Sequence, residues 1–186
     1  FGVTPNLSMD LTYNTDFSQV EVDDAQVNLT QFDLFFPEKR EFFLENAGLF
    51  RFGIARDTEL FYSRKVGLAR DSTGTLREIP ILGGGRLTGK AGRTNIGLLA
   101  MRTRGKTFGG QVINDNNFLV GRISQDVGGK SNVGFIFTNR QAAGGDYSRA
   151  FGGDFKLALG PKLVVSGFMA GTTSDGSNDT GYAGRL

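Results

Sequence analysis

The sequence predicts an all-β fold, an antiparallel up-and-down meander that forms part of a transmembrane β-barrel of the outer-membrane type. Three observations lead to this prediction. Strand-like segments of roughly ten residues alternate apolar and polar side chains. They are joined in turn by very short and by longer polar connections. A single charged segment, residues 37–47, interrupts the pattern and predicts one short helix.

The connections in the second half of the chain alternate in length. Tight turns are expected at residues 91–93, 128–130 and 160–161. Long polar loops are expected at residues 105–116, 141–147 and 174–180. Bacterial outer-membrane barrels have short turns at the periplasmic rim and longer loops at the external rim. The alternation therefore predicts a barrel wall with two unlike rims.

The strands separate their side chains into two faces, because successive residues of a strand point to opposite sides of the sheet. The apolar set is expected to share a lipid face and consists of Val133, Phe135, Phe137, Phe155 and Leu157. The polar set is expected to face the lumen and consists of Arg122, Asp126, Arg140, Asp154 and Lys156.

Two segments are apolar on both faces. Near residue 98, one row reads Ile96, Leu98, Ala100 and the other reads Gly97, Leu99, Met101. Residues 163–170 show the same property. A strand with two apolar faces needs cover on both sides. This pattern favours a narrow or plugged barrel over a wide water-filled pore.

The charged segment at residues 37–47 is expected to lie at a rim or inside the lumen, because charged side chains are costly in lipid. Pro37 suits the first helical position and Gly48 suits the stop, so a helix of roughly two to three turns is predicted. We expect the segment to form a charge network with the wall and to wedge Phe42 and Phe43 against wall glycines such as Gly83, Gly85 and Gly134. The candidate members of the network are Glu38, Lys39, Arg40, Glu41, Glu45, Arg64, Arg86, Lys90, Arg122 and Arg140.

The composition excludes several kinds of chemistry within this chain. It has 28 Gly and 17 Phe but no His and no Cys, which rules out a Ser-His-Asp triad, a cysteine nucleophile and a His-bearing metal site. A net charge of +2 is too small to indicate nucleic acid as a partner. No cofactor, metal or catalytic residue is expected.

Three segments resemble functional motifs. Residues 84–90 match most of a phosphate-binding loop, but Ala91 replaces the Ser or Thr and a strand follows where a helix is required. Residues 175–179 lack the spacing of a calcium loop. Glutamates 38, 41 and 45, with Glu21, Asp23 and Asp24, could supply a glycosidase acid and base, although ion pairing with wall Lys and Arg is favoured.

The chain resembles a bacterial family of unknown function. The resemblance rests on Asn14–Glu21, on Val27–Thr30 and above all on Phe36–Asn46, which reads FPEKREFFLEN. It extends to residues 60–64, 80–84, 86–90 and 137–140. Full-length members join an N-terminal module similar to family-nine carbohydrate-binding domains to a C-terminal outer-membrane barrel. The resemblance implies a Gram-negative envelope location and no catalytic residue.

These observations lead to a set of expectations. Because Phe1 is not an initiator Met and no signal peptide precedes the first strand, residues 1–186 are expected to be a single partial barrel domain, truncated at both ends. The expected function is that of a non-enzymatic channel, translocator or membrane anchor in the bacterial outer membrane. Its expected partners are outer-membrane lipid and carbohydrate, the latter through an upstream module. The alternatives are a soluble or surface glycoside-active enzyme, a β-sandwich binding module and a purely structural envelope protein.

Overall fold

A single antiparallel sheet of nine strands dominates the structure. The computed structural model describes residues 2–14, 38–53, 59–72, 74, 76–175 and 177–185. The first three strands of the sheet are β1 (Gly2–Thr4), β2 (Leu7–Tyr13) and β5 (Ile81–Ala91). The six that follow are β6 (Thr94–Thr103), β9 (Asn116–Gly128), β10 (Ser131–Ala142), β11 (Tyr147–Leu159), β12 (Leu163–Ser174) and β13 (Ser177–Arg185). They lie side by side in chain order, so the predicted meander is confirmed.

Two small hairpins lie outside this sheet. Strands β3 (Leu68–Arg70) and β4 (Leu76–Glu78) pair within the connection between β2 and β5. Strands β7 (Lys106–Phe108) and β8 (Gln111–Ile113) pair within the connection between β6 and β9. The second hairpin accounts for the long loop that was predicted at residues 105–116.

The two rims of the sheet differ, and we name them by their connections. The tight-turn edge carries the links between β5 and β6, between β9 and β10, and between β11 and β12. At the long-connection edge β2 ends and β5 begins, and this edge also carries the β7–β8 hairpin and residues 143–146. The prediction of a long loop at residues 174–180 was wrong, because Ser174 pairs with Ser177 and β13 begins there.

The sheet is not closed into a barrel within the described residues. Its outer strands are β1 and β13, and neither pairs with the other. The described residues also contain no second large sheet that packs on the first, which is what a β-sandwich requires. One face of the sheet is instead covered by residues 38–53, which we call the covering segment.

The predicted helix at residues 37–47 is much shorter in the structure. Helix α1 spans Glu41–Leu44 and a 3-10 turn spans Ala47–Phe50, while Pro37 lies outside the described residues. Asn46 between them is left-handed, with φ at 56°. The Arg86 guanidinium donates hydrogen bonds to the main-chain carbonyls of Phe42 and Glu45. These carbonyls are therefore satisfied by a strand residue and not by the amides of a further helical turn. Within the described ranges, no helix is both long and apolar enough to cross a bilayer.

The apolar core lies between the sheet and the residues that connect β2 to β5. One cluster joins Phe43, Phe50 and Val66 to strand residues Leu99 and Val120. A second cluster joins Phe52 to Ile136, Phe168 and Ala170. Leu99 and Met101 are therefore buried by the covering segment, as the two apolar rows near residue 98 predicted.

The other face of the sheet is exposed and apolar, and we call it the open face. The register aligns Val133 with Phe155 and Phe137 with Phe151, so the predicted apolar set does share one face. The exposed large side chains of this face are Met9, Leu11, Leu98, Leu119, Ile123, Val133, Phe135, Phe151, Phe155 and Met169. No described residue packs a second layer over them.

Candidate functional site

Polar residues converge on the face of the sheet that the covering segment occupies, which we call the covered face. Strand pairing places Arg86 opposite Leu99, and Arg122 opposite both Gly97 and Ile136. Asp154 stands opposite Gly134 one row nearer the tight-turn edge. These residues alternate with the open-face side chains on the same strands. The covered face is thus a mainly apolar surface that contains a few buried ions.

Arg86 on β5 is the first of these ions, with only 3% of its surface exposed. Its Nη2 lies 2.7 Å from the Asp10 carboxylate on β2 and 2.6 Å from the Glu45 carboxylate in the covering segment. Its Nη1 donates to the carbonyls of Phe42 and Glu45, each at 2.5 Å. The guanidinium also lies 5.0 Å from the centre of the Phe42 ring. Arg86 therefore attaches the end of α1 to strand β5 of the sheet.

Arg122 on β9 is the second buried ion and lies further along the same face. Its Nη2 is 2.7 Å from the Asp154 carboxylate on β11, and its Nε donates to the Arg51 carbonyl at 3.0 Å. The Gly53 amide donates to the same Asp154 carboxylate at 3.2 Å. This ion pair holds the far end of the covering segment against β9 and β11.

A third group of charges fixes the start of the covering segment. Arg40 forms an ion pair with Glu38 at 2.7 Å and donates to the carbonyls of Ser63 and Val66. The Ser63 hydroxyl donates to the same carboxylate oxygen of Glu38 at 2.7 Å. Burial is the strongest single influence on the pKa of Glu38 and raises it, but the hydrogen bonds and charge of Arg40 together lower the pKa below its ordinary value of 4.5.

Arg64 lies beside this group, in a 3-10 turn that spans Ser63–Lys65. Its side chain is buried, and burial lowers the pKa of its guanidinium. The turn is followed directly by Val66, which is almost fully buried in the first apolar cluster. The predicted member Arg64 therefore belongs to the connection and not to a strand of the main sheet.

Two phenylalanines of the covering segment pack against glycines in the strands of the sheet. A Cβ built on Gly97 would lie 3.1 Å from the Phe50 ring, and one built on Gly152 would lie 2.9 Å from Cε2 of Phe52. We expected Phe42 and Phe43 to occupy such places against Gly83, Gly85 and Gly134, and this was wrong. Those three glycines face Tyr13, Leu11 and the Arg122 guanidinium respectively.

The remaining predicted site residues stand apart from these ion pairs. Lys90 reaches Asp126 at 2.5 Å near the tight-turn edge, where both side chains are exposed. Arg140 pairs with Asp146 and with the amide oxygen of Asn116 at the long-connection edge. Lys39 and Glu41 are exposed. Of the ten predicted members, the structure therefore pairs Arg86 with Glu45 and Arg40 with Glu38. Arg122 pairs with Asp154, Arg64 lies in the connection, and Lys39, Glu41, Lys90 and Arg140 lie at the margins.

The geometry limits the chemistry that these residues can perform. Glu38 and Glu45 are held by arginines, and a glycosidase acid needs a raised pKa whereas that of Glu38 is lowered. Glu21, Asp23 and Asp24 lie outside the described residues. No described cluster of three acidic side chains could hold a metal ion. Residues 84–90 are extended in β5 and lead into β6, which is incompatible with a phosphate-binding loop.

Several residues at this site were not predicted from the sequence. Asp10 and Asn46 reach Arg86 and Thr88 from segments far away in the chain. The pairing of β2 with β5 brings Asp10 opposite Arg86 across residues 14–80, and nothing local in the sequence signals that register. The sequence does carry a signal for Phe50 and Phe52: they alternate with Arg51 directly after the helix stop, which is the pattern of an extended segment with one apolar face.

Comparison with known proteins places this chain in a family. The family model for the domain of unknown function DUF5916 matches residues 1–113, which include β1 to β8 and the covering segment. No curated protein matches the chain. No solved structure matches it either. Because the match extends over more than half of the sequence, the chain belongs to the DUF5916 family of domains of unknown function.

Proposed function

We propose that this chain forms part of the wall of a bacterial outer-membrane β-barrel, and that the covering segment lies in its lumen. The observation that carries this proposal is the open face, on which large apolar side chains are exposed on β2, β6 and β9 to β12. The barrel would act as a channel, translocator or membrane anchor. It would be linked to carbohydrate through the upstream module that the family resemblance implies.

The size of the apolar surface supports a lipid-facing role. Exposed side chains such as Leu11 at 63%, Ile123 at 51% and Met169 at 70% form a continuous surface across the sheet. Soluble monomers rarely expose apolar patches of more than a few hundred Å². Hydrocarbon would remove this surface from water without a second protein layer.

The lengths of the strands agree with a membrane wall. Strand β6 and the five strands β9 to β13 of the main sheet are 9 to 13 residues long. At about 3.3 Å per residue and a tilt near 45°, ten residues rise roughly 23 Å, which is close to the apolar band of such barrels. Soluble sheets typically use strands of about five or six residues.

The covered face supports a lumenal role for the other side. Its ion pairs, Arg86 with Asp10 and Glu45 and Arg122 with Asp154, would be costly in lipid but suit a protein-filled lumen. The covering segment belongs to the connection between β2 and β5, and its Phe43, Phe50 and Phe52 pack on the covered face. A segment in this position narrows the lumen, which favours a gated or restricted channel or an anchor over an open pore.

The test uses the absence of cysteine from the chain, since single cysteines can be introduced without a background. Leu119→Cys, Ile123→Cys and Phe135→Cys place spin labels on the open face of the complete protein in lipid vesicles. We expect these labels to be accessible to oxygen and shielded from a water-soluble nickel complex. Lys130→Cys, in an exposed turn, is the control and should be accessible to nickel.

The outcome that would overturn the proposal is equal accessibility of the open-face labels and the Lys130 label to nickel. A glycosidase remains the competing function, and it predicts that hydrolysis depends on the covering-segment carboxylates. If the complete protein hydrolyses glycosides, unchanged hydrolysis in the triple variant Glu38→Gln, Glu41→Gln, Glu45→Gln would remove these carboxylates from consideration.

A further inference from the structure

The two ends of the open face differ in chemistry on the same strands. At the tight-turn edge, the exposed side chains on β10, β11 and β12 are apolar: Val133, Phe155, Leu159 and Leu163. At the long-connection edge, the same three strands carry Asn139, Gln141, Tyr147, Arg149 and Thr173. The apolar surface thus continues to one rim and ends before the other.

Two arginines stand out in this polar band. Arg149 is exposed, donates its Nε to the Asn139 amide oxygen at 3.0 Å, and lies 4.8 Å from the centre of the Tyr147 ring. Among the described residues, no carboxylate forms an ion pair with Arg149. Arg102 on β6 has 59% of its side chain exposed and meets Asp115 at 3.2 Å. Each guanidinium group therefore has N–H donors that are exposed on the open face and can bind a molecule outside the protein.

The arginines are arranged along the rim with other interfacial residues between and beside them. Pairing aligns Arg102 with Asn117 on β9, and aligns Tyr147 with Gln141 on β10. Arg102 on β6 and Arg149 on β11 are three strand spacings apart, roughly 14 Å. Tyr13, with 88% of its surface exposed, lies on the same side opposite Gly83. Tyrosine and arginine beside an apolar surface are typical of a membrane interface.

We propose that this band, defined as Arg102, Asn117, Asn139, Tyr147 and Arg149, binds the phosphate groups of anionic lipid in the leaflet that surrounds the long-connection edge. The inference rests on the proposed function, because it needs the open face to be in lipid. Guanidinium groups bind phosphate through paired hydrogen bonds, and the neighbouring amides supply further donors. The acyl chains would lie on the exposed Leu119, which pairs with Asn139 at the level of Arg149, and on the exposed Phe151, one row further from the long-connection edge.

A membrane lipid fits this band better than a free anion does. A cavity of about 320 Å³ lies at the band and is lined by Arg102, Asn117 and Asn139 together with apolar residues such as Leu119. This cavity is open to the surroundings and does not enclose a small phosphate ion. The arginines of the band border apolar residues on one side only, which matches a molecule with an ionic head and an apolar body. On the open face, the tight-turn edge of β10 to β12 has no such band. The leaflet that contains the bound anionic lipid is therefore the one around the long-connection edge.

The experiment titrates the complete protein in zwitterionic detergent with phosphatidic acid and follows the retained lipid by native mass spectrometry. Wild-type protein is expected to retain phosphatidic acid in preference to phosphatidylcholine. The double variant Arg102→Gln, Arg149→Gln should bind phosphatidic acid about tenfold more weakly. The control, Lys130→Gln with Lys162→Gln, removes the same charge from exposed turns at the opposite edge and should leave the affinity unchanged.

Three results would overturn the inference. They are the absence of a preference in the wild type, an equal loss in the control variant, and displacement of the lipid by inorganic phosphate at the same concentration. Insertion of all variants into pure phosphatidylcholine vesicles is measured in parallel. Failure to insert would contradict the proposed function, whereas insertion without anionic preference would contradict the lipid site alone.

Discussion

Arg86 binds Glu45 through two different groups, a carboxylate oxygen at 2.6 Å from Nη2 and the main-chain carbonyl at 2.5 Å from Nη1. A strand residue thus supplies hydrogen bonds to a segment that leaves the helical conformation at Glu45. The arginine itself is buried, while 63% of the Glu45 side chain is exposed. The attachment of the covering segment therefore depends on the arginine more than on the glutamate.

This asymmetry predicts the effect of Arg86→Met. The change removes the partner of Asp10 and the donor to two carbonyls, so we expect a loss of about 2–3 kcal/mol in the free energy of unfolding. Chemical denaturation of the complete protein measures it. Lys90→Met is the matched control on the same strand and face, and its exposed ion pair with Asp126 should contribute less than about 1 kcal/mol. Equal losses would show that Arg86 is not an attachment point.

The contact between Phe52 and Gly152 leads to a second prediction. A Cβ at position 152 would meet the Phe52 ring and would lie 3.0 Å from Leu60 Cδ1, and the ring cannot move away because Phe168 packs against it. Gly152→Ala should therefore destabilise the protein by about 1–3 kcal/mol. Amide hydrogen exchange should become faster in residues 47–53.

The neighbouring glycine provides the control for this experiment. Gly153 points to the open face, where the nearest atom to a built Cβ is the Gly134 carbonyl oxygen at 3.8 Å. Gly153→Ala should be neutral or slightly stabilising, because alanine loses less backbone entropy than glycine on folding. If both substitutions behave alike, Phe52 does not rest on the wall as the structure describes.

Strand faces could be predicted from the sequence because each depends only on local alternation. The period of two assigned Val133, Phe135 and Phe137 to one side, and the register agrees. The two apolar rows near residue 98 predicted that both faces of this strand are covered, and on one face Leu99 is buried by the covering segment. The underlying physics is the same in both cases, since a strand records the environment of each face in its own residues.

The details of the covering segment could not be predicted, because they depend on contacts between distant residues. The pattern of residues 37–47 favours a longer helix, and only the position of Arg86 on β5 explains why it ends after Leu44. Glu38 pairs with Arg40 two residues away and not with a strand arginine. Which of several arginines or lysines a carboxylate pairs with depends on the folded arrangement, and no periodic pattern in the sequence indicates it.

The third prediction concerns pH. The folded-state pKa of Glu38 is lowered, so its ion pair contributes stability above the unfolded pKa near 4.5 and loses it as pH falls through the folded value. We expect the start of the covering segment to loosen below about pH 4.5. Hydrogen exchange of residues 38–44, measured across this range, should show the change. Glu38→Gln should be loose at every pH and show a flatter dependence.

Glu41→Gln tests whether this pH effect belongs to Glu38. Glu41 carries the same charge three residues later, but its side chain is exposed. Its substitution should leave the pH dependence of hydrogen exchange at the wild-type level. If the pH profile is flatter in Glu41→Gln than in Glu38→Gln, the pH effect belongs to Glu41 and the prediction for Glu38 is wrong.

The last prediction concerns transport and rests on the proposed barrel. The covering segment is attached by Arg86 and Arg122 at two points and packs on the sheet through Phe50 and Phe52. In the proposed barrel it would therefore obstruct one side of the lumen as a unit. Replacing residues 41–50 with a short flexible linker should raise single-channel conductance and lower thermal stability together. Phe50→Ala keeps the chain length and should produce smaller changes in both quantities in the same direction.

A matched deletion separates the lumenal role from a general effect of shortening a loop. The β7–β8 hairpin, Lys106–Ile113, lies at the same long-connection edge and forms its own pairs outside the main sheet. Its removal should leave conductance unchanged, because its strands do not cross the covered face. If deleting residues 41–50 changes neither conductance nor stability, the segment does not lie in a pore. If both deletions raise conductance equally, the obstruction is at the rim and the ion pairs of Arg86 and Arg122 have no part in it.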